Sequence, residues 1–286
     1  MRELLSQAEL RCLARLRLSL RRPRGELVGT HLSARTGYSL EFTDFRPYQP
    51  GDDYRLVDWA AYARLRRLLV RVHKREVEVP LYLVLDASGS MGVGRPAKLD
   101  FAARLAAALG FVAYRGQDRF GLVPVRDAPG DGLPPRRGRA QLAALFSALG
   151  ALEAAGPTDL DAALSAWAAR GPEPGLCVVC SDFLCESGWK EGVAALLAGR
   201  HAVVLVQVLS PRDLNPGFRG ELELVDAELA RRRRLSVSGG VLRAYREALA
   251  RWNADIRAFA AERGIAYFLF PSDMGPVEAA WAMLGR

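Results

Sequence analysis

Lysine is nearly missing from this chain: of 40 basic residues only positions 74, 98 and 190 are lysine, so arginine carries almost all the positive charge. Cysteine and histidine are scarce too. Four cysteines, at 12, 177, 180 and 185 of 286 residues, give no disulfide framework. His31, His73 and His201 stand too far apart in sequence to suggest a ligand cluster. Cys177 and Cys180 have the spacing of a redox or zinc motif, but they lie within an apolar run, 176–181, where residues three apart point to opposite faces of a strand. With no second such pair and no nearby histidine, both read as small buried hydrophobes. No apolar run approaches the roughly 18 to 20 residues of a membrane span, and Arg2 and Glu3 stand where a signal peptide would have an apolar core. A cytoplasmic protein without a membrane span is therefore expected. Catalytic signatures are missing as well. There is no Gly-x-Ser-x-Gly elbow, Ser90 has no paired histidine, and residues 92–98 lack Walker A spacing. No second carboxylate stands beside Asp86, as phosphotransferases of the Asp-x-Asp type require, so no enzyme is expected.

What is present is an ordinary globular composition, 50% hydrophobic with mean hydropathy +0.01, organised around one stretch. Residues 81–85 form a short apolar run without glycine, the pattern of a strand covered on both faces of a parallel sheet. It ends in oxygen: Asp86, Ser88 and Ser90 follow at alternate positions, with Gly89 and Gly92 allowing a tight turn. A helical pattern over 98–114 completes a strand, loop and helix unit, and ligands of such sheets bind beyond the carboxyl ends of the strands. One carboxylate and two hydroxyls suit a hard cation such as Mg2+; the same residues also suit a cap for the following helix. Thr158 lies in a Gly/Pro turn before a helix, and a second apolar strand ends on Asp182.

Along the rest of the chain, 3–20 has helical spacing, ended by Pro23 and Gly25. Residues 39–42 alternate as a strand, 48–52 form a turn, 55–67 a short helix and 68–73 a strand. Beyond the site helix, strands are expected over 119–125, 175–182, 202–209 and 265–270, with helices over 140–152, 159–170, 188–199, 241–263 and 276–284. The segment 127–139 reads as a surface loop. This alternation implies βαβ units, right-handed crossovers and a mainly parallel sheet. Residues 211–240 break it: 221–225 and 234–238 alternate as a hairpin joined through 226–233, which makes the arginine run 231–234 an exposed turn. The net charge of +8 is confined to the N-terminal part. Residues 1–75 hold 16 basic against 8 acidic residues, and the remaining 24 and 24 balance. A basic segment of this kind serves nucleic acid, anionic lipid or an acidic protein, or is simply a solvated face. With no recognised nucleic-acid module around Phe42, Phe45, Tyr48 and Tyr54, the solvated face is the reading adopted.

Two resemblances join these observations. Asp86, Ser88, Ser90, Thr158 and Asp182 resemble, one by one and in order, the metal-ion-dependent adhesion site of the von Willebrand factor A-like fold. That resemblance implies Mg2+ (or Mn2+ or Ca2+) held by the two serines and the threonine, with the aspartates acting partly through water. It also implies an open coordination position for a partner's Glu or Asp carboxylate. The second is carried by Arg46-Pro-Tyr-Gln-Pro-Gly-Asp-Asp-Tyr-Arg55, then Val57-Asp-Trp59, Ala63-Arg64 and Glu76. This stretch is similar to the signature of the bacterial "domain of unknown function 58" family, which sets it directly before a von Willebrand A-like domain. The family's members are often encoded beside MoxR-type AAA+ ATPases, which implies an adaptor or co-chaperone role. Read on their own, the signature's Arg and Asp residues suit a network of bidentate ion pairs fixing an irregular segment, with Trp59 a buried anchor.

The expectation is therefore an α/β protein. Residues 1–78 form an α+β signature extension packed on the main domain, and 79–286 a von Willebrand A-like, Rossmann-like domain with a β-hairpin insertion at about 211–240. Its expected work is divalent-metal-dependent protein binding, with a MoxR-type ATPase the leading candidate partner. The alternatives are a metal-dependent hydrolase, with Asp86 as nucleophile or base, or a nucleic-acid binder using the basic N-terminal segment.

Overall fold

The protein is described by a computed structural model over residues 4–18, 42–50, 53–73, 79–185, 188–218, 220–228 and 231–285. The expected helix end at Pro23 and Gly25, His31, residues 39–41 of the expected strand, and Asp52 and Glu76 of the signature lie outside these residues. The described residues of 26–78 form one compact unit, and 4–18 belong with 79–285 in another.

The main unit begins with helix α1 (Gln7–Leu13), shorter than the 3–20 periodicity predicts. It starts at a capping box: Glu9 N donates to Ser6 Oγ (3.3 Å) and Ser6 N to Glu9 Oε2 (2.7 Å). Leu4, Leu5, Leu13 and Leu16 enter the core of this unit.

The smaller unit pairs β1 (Phe42–Pro47) with β2 (Leu69–His73) antiparallel, with α2 (Trp59–Leu65) between them in sequence. Two of its acidic signature residues, Asp53 and Asp58, work as caps. Asp53 Oδ1 accepts from Arg55 N (2.9 Å) and opens a 3-10 turn, Tyr54–Leu56; Asp58 Oδ1 accepts from Ala61 N (2.9 Å) and opens α2. Trp59 is 59% exposed, so the buried anchor expected from the sequence is not found. It occupies the first turn of a helix whose buried residue is Ala61, and it meets Tyr62 edge-on at 6.3 Å.

The remaining elements alternate. They are β3 (Leu81–Asp86), α3 (Lys98–Arg115), β4 (Phe120–Val125), β5 (Leu133–Arg136), α4 (Arg139–Ala151), α5 (Leu160–Ala169), β6 (Leu176–Ser181), α6 (Lys190–Ala198), β7 (Ala202–Leu209) and α7 (Pro211–Leu214). After them come β8 (Gly220–Val225), β9 (Arg232–Val237), α8 (Gly239–Glu262), β10 (Ala266–Pro271) and α9 (Pro276–Leu284). Six strands form one sheet in the order β10-β7-β6-β3-β4-β5, parallel except for β5. Strand β5 corrects the surface loop expected over 127–139. Pro134 and Pro135 argue against a central strand, but an edge strand needs to donate on one side only. The hairpin β8–β9 is a separate two-stranded sheet. Here Arg232, Arg233 and Arg234 pair with Val225, Leu224 and Glu223, so the arginine run belongs largely to a strand and not to the expected turn.

Side-chain alternation builds one core on each face of the large sheet. Leu81, Leu83 and Leu85 face α1, α3, α4 and α9, while Tyr82 and Val84 face α5, α6 and α8. Cys180 falls in the first core and Cys177 in the second, the opposite faces that their spacing requires. Burial pushes the Cys180 thiol up to about 12 and raises that of Cys177 as well, which fits inert core residues. His201 is also buried; its Nδ1 accepts from Gly175 N (3.1 Å), and burial lowers its imidazole pKa. Helix α3 buries Ala102, Ala103, Ala106, Ala107 and Ala108, and Gly110 lets Leu145 of α4 approach to where a Cβ would lie 2.3 Å from its Cδ2. Among the described residues, no helix is long and apolar enough to cross a membrane.

Candidate functional site

Counted in chain order, the six-stranded sheet runs 3-2-1-4-5-6 from its β5 edge. The order reverses between β3 and β6, and the two strands leave a crevice beyond their carboxyl ends. Asp86 ends β3 and Asp182 follows β6, so topology alone brings together two carboxylates 96 positions apart in sequence.

Asp86 and Ser88 are fully buried. Asp86 Oδ1 accepts from Ser88 N (2.9 Å), and Oδ2 accepts from Ser181 Oγ (2.6 Å). Both donors are neutral. Burial, and next the nearby charge of Asp182, push the Asp86 carboxyl up to about 6 against the downward pull of these hydrogen bonds. Ser88 Oγ and Ser90 Oγ stand 3.1 Å apart. Ser90 belongs to the 3-10 turn Gly89–Gly92, whose Ser88 N-cap makes no side-chain cap bond. The helix-cap alternative therefore does not describe Ser88, and α3 likewise starts at Ala97 without a side-chain cap.

Asp182 is equally buried but differently partnered. Its Oδ2 accepts from Lys98 Nζ at 2.6 Å and its Oδ1 from Leu184 N at 3.0 Å. Lys98 opens α3, is 3% exposed, and also lies 3.5 Å from Asp213 Oδ2 of α7. Burial alone would lower its ammonium, but Asp182 and Asp213 hold it above the usual lysine value.

The loop that carries Thr158 is sewn to the β3 exit. Ala155 N donates to Ala87 O (3.0 Å), Gly89 N to Gly156 O (2.9 Å) and Asp159 N to Arg126 O (3.1 Å). Arg126 reaches both sides, with Nε on Ala87 O (3.0 Å) and Nη2 on Glu153 O (2.9 Å). Thr158 itself is held by Glu228, from the β8–β9 connection. Thr158 N donates to Oε2 (2.9 Å) and Thr158 Oγ1 to Oε1 (2.8 Å).

All five residues singled out from the sequence thus lie on loops at one end of the sheet, around the exits of β3 and β6. The arrangement offers a hard cation hydroxyl oxygens beside a carboxylate with no cationic partner among the described residues. That chemistry fits Mg2+ or a similar ion better than a soft metal. Sequence reasoning missed Ser181, Lys98, Asp213, Arg126 and Glu228. Lys98 left one trace, as a rare lysine in a chain that otherwise uses arginine. Glu228 left none, since it acts 70 positions from Thr158.

The family model described as "Protein of unknown function DUF58" matches residues 44–257. The uncharacterized protein Rv1480 of Mycobacterium tuberculosis (strain ATCC 25618 / H37Rv) is 34% identical over 238 residues, 81% of this chain and 74% of that protein. The uncharacterized protein Mb1516 of Mycobacterium bovis is similar to the same extent. Among solved structures, the conserved hypothetical protein BatB from Bacteroides thetaiotaomicron is similar with a TM-score of 0.46 and 16% identity, over 72% of this chain and 96% of that one.

Proposed function

This chain belongs to the DUF58 family of proteins of unknown function, and on that footing we propose that it is a divalent-metal-dependent protein-binding module. The proposal reads the main unit as von Willebrand A-like and the crevice between β3 and β6 as its metal-ion-dependent adhesion site. One observation carries it: Ser88 Oγ and Ser90 Oγ lie 3.1 Å apart beside the fully buried carboxylate of Asp86, on a loop hydrogen-bonded to the one that presents Thr158. The hydroxyls of Ser88, Ser90 and Thr158 would hold Mg2+ (or Mn2+ or Ca2+), with Asp86 and Asp182 behind them. When bound, the ion supplies an incompletely neutralised charge to which a carboxylate can attach. The chain's own residues do the rest. Ser181 orients Asp86, Lys98 neutralises Asp182, and Arg126 fixes the two loops against each other.

The partner then offers a Glu or Asp side chain. The family resemblance makes a MoxR-type AAA+ ATPase the first candidate, with the protein as adaptor or co-chaperone. The test pairs calorimetric titration of Mg2+ with capture of that ATPase in Mg2+ and in EDTA. Changing a group that merely supports metal ligands costs about 10- to 100-fold in affinity. Asp86→Ala is expected to weaken Mg2+ binding at least about 100-fold and to abolish Mg2+-dependent capture. Full-strength capture by a folded Asp86→Ala protein sinks the proposal.

A further inference from the structure

The insertion that interrupts the α/β alternation comes back to the site. Its hairpin, β8–β9, is a two-stranded sheet standing apart from the six-stranded one, and such ribbons are marginally stable by themselves. Leu224 and Val225 are about half exposed, at 46% and 56%, and the arginines of β9 are exposed as well. Val237, at the base of the hairpin, is buried. Among the described residues of 223–234, only Glu228 is not exposed.

Two independent contacts hold the far end. Glu228 takes both the amide and the hydroxyl of Thr158, at 2.9 and 2.8 Å. The backbone of Ala227 lies against Gly89, where a Cβ would sit 2.4 Å from Ala227 O, a distance no other residue type tolerates without displacing the hairpin. Gly89 lies between Ser88 and Ser90, and Thr158 is the third hydroxyl of the same set. The hairpin end therefore touches the site on both of its loops. It is shaped for this contact: Glu228 N donates to Asp226 Oδ1 (2.8 Å), and Asp226 N donates to Arg231 O (2.8 Å), closing the turn.

We infer that the β8–β9 hairpin is a built-in cover for the site, latched by Glu228. The chain supplies its own carboxylate to the face at which a partner's Glu or Asp would enter, so the two compete and the hairpin must lift for a partner to bind. The inference rests on the metal-site reading above. A dication among the hydroxyls attracts the Glu228 carboxylate, so the ion tightens the latch in the partner-free protein, while a partner's carboxylate replaces it. Nothing in the pattern of the sequence announces this, because the latch and its keeper belong to different segments of the fold.

Hydrogen exchange on the 286-residue chain tests the cover, with Mg2+ alone as the probe. In the wild-type protein, Mg2+ is expected to slow exchange of residues 226–228 and of the Thr158 amide by about tenfold or more relative to EDTA. In Glu228→Gln, both segments should exchange faster than wild type in EDTA, and Mg2+ should no longer slow them. Peptides from β3 and α3 should stay unchanged and report an intact core. Asp86→Ala should keep the latch but lose its response to Mg2+. The cover is overturned if Glu228→Gln exchanges like wild type. It is equally overturned if Mg2+ binds wild type by calorimetry and leaves the hairpin indifferent. Calorimetry that finds no Mg2+ binding to wild type sinks the metal-site reading itself, and the ion-tightened cover with it.

Discussion

At the end of β3, Asp86 is fully buried and receives its hydrogen bonds from an amide and a hydroxyl, while at the end of β6 Asp182 is buried to nearly the same depth but grips Lys98 at 2.6 Å. Neighbouring strands of one sheet thus hand on two carboxylates with opposite electrostatic treatment. The Asp182 side carries its own counter-charge, permanently installed at the start of α3. The Asp86 side has only neutral donors, and burial, with the nearby charge of Asp182 second, pushes its carboxyl up to about 6. A buried carboxylate without a cation is costly. Among the described residues Asp86 keeps neutral hydrogen-bond donors where its neighbour keeps a cation, and the proposed cation site rests on that contrast.

The most direct way to break this comparison is Lys98→Met, which keeps the length of the side chain and removes its charge. Asp182 would be left buried without a cation, and Asp213 would lose part of its own compensation. A loss of about 3 to 5 kcal/mol in unfolding free energy is expected from urea denaturation. A loss below about 1 kcal/mol would mean that the two strand ends are not treated differently after all.

Ser181→Ala sharpens the other side. Asp86 Oδ2 loses its hydroxyl donor, and Phe183 N, which donates to Ser181 Oγ at 3.0 Å, loses its acceptor. The expected cost is about 1.5 to 3 kcal/mol, with Mg2+ affinity falling roughly tenfold under the proposed reading because the carboxylate is no longer oriented. Calorimetric titration and denaturation on the same sample would show whether both changes occur together.

The smallest effect is a contrast with a carboxylate far from the crevice. Burial would raise Glu9, but the Ser6 amide and hydroxyl and the Arg104 guanidinium outweigh it and hold its carboxyl below the usual range. A depressed carboxyl contributes stability that is present above its unfolded value of 4.5 and is lost as pH falls through the folded one. Glu9→Gln should therefore cost about 0.5 to 1 kcal/mol at pH 7, the size of a helix-cap effect, and progressively less as pH is lowered below 4.5. A gap that does not shrink as pH falls would show that the box works through geometry and not through charge.

Much of the architecture could be read in advance, because its signals are local. The apolar run 81–85, the oxygen-rich turn after it and the helical pattern from 98 each depend on neighbours a few residues away, and each stands where expected. The strand 202–209 and the helix 276–284 agree to the residue. The misreadings share one cause: local chemistry was read without its tertiary place. Pro134 and Pro135 suggest a loop until β4 offers them a sheet edge. Arg232 to Arg234 suggest a turn until β8 pairs with them. Trp59 suggests a core until it stands at the first turn of a helix in a unit where Val57, Ala61 and Val70 are buried instead. The boundary at 78 suggests an extension that includes the first helix, whereas Leu4, Leu5, Leu13 and Leu16 enter the core of the main unit.

The candidate site divides in the same way. By itself the sequence put Asp86, Ser88 and Ser90 in one turn and marked Asp182 by a strand exit and Thr158 by a helix entry. Tertiary structure alone decided their electrostatics and their access. Lys98 meets Asp182 across 84 positions and Glu228 meets Thr158 across 70, both through a reversal of strand order and a hairpin that folds back. Charge compensation and steric cover act through space over a few ångströms. They leave no periodicity along the chain, and only packing brings their partners together.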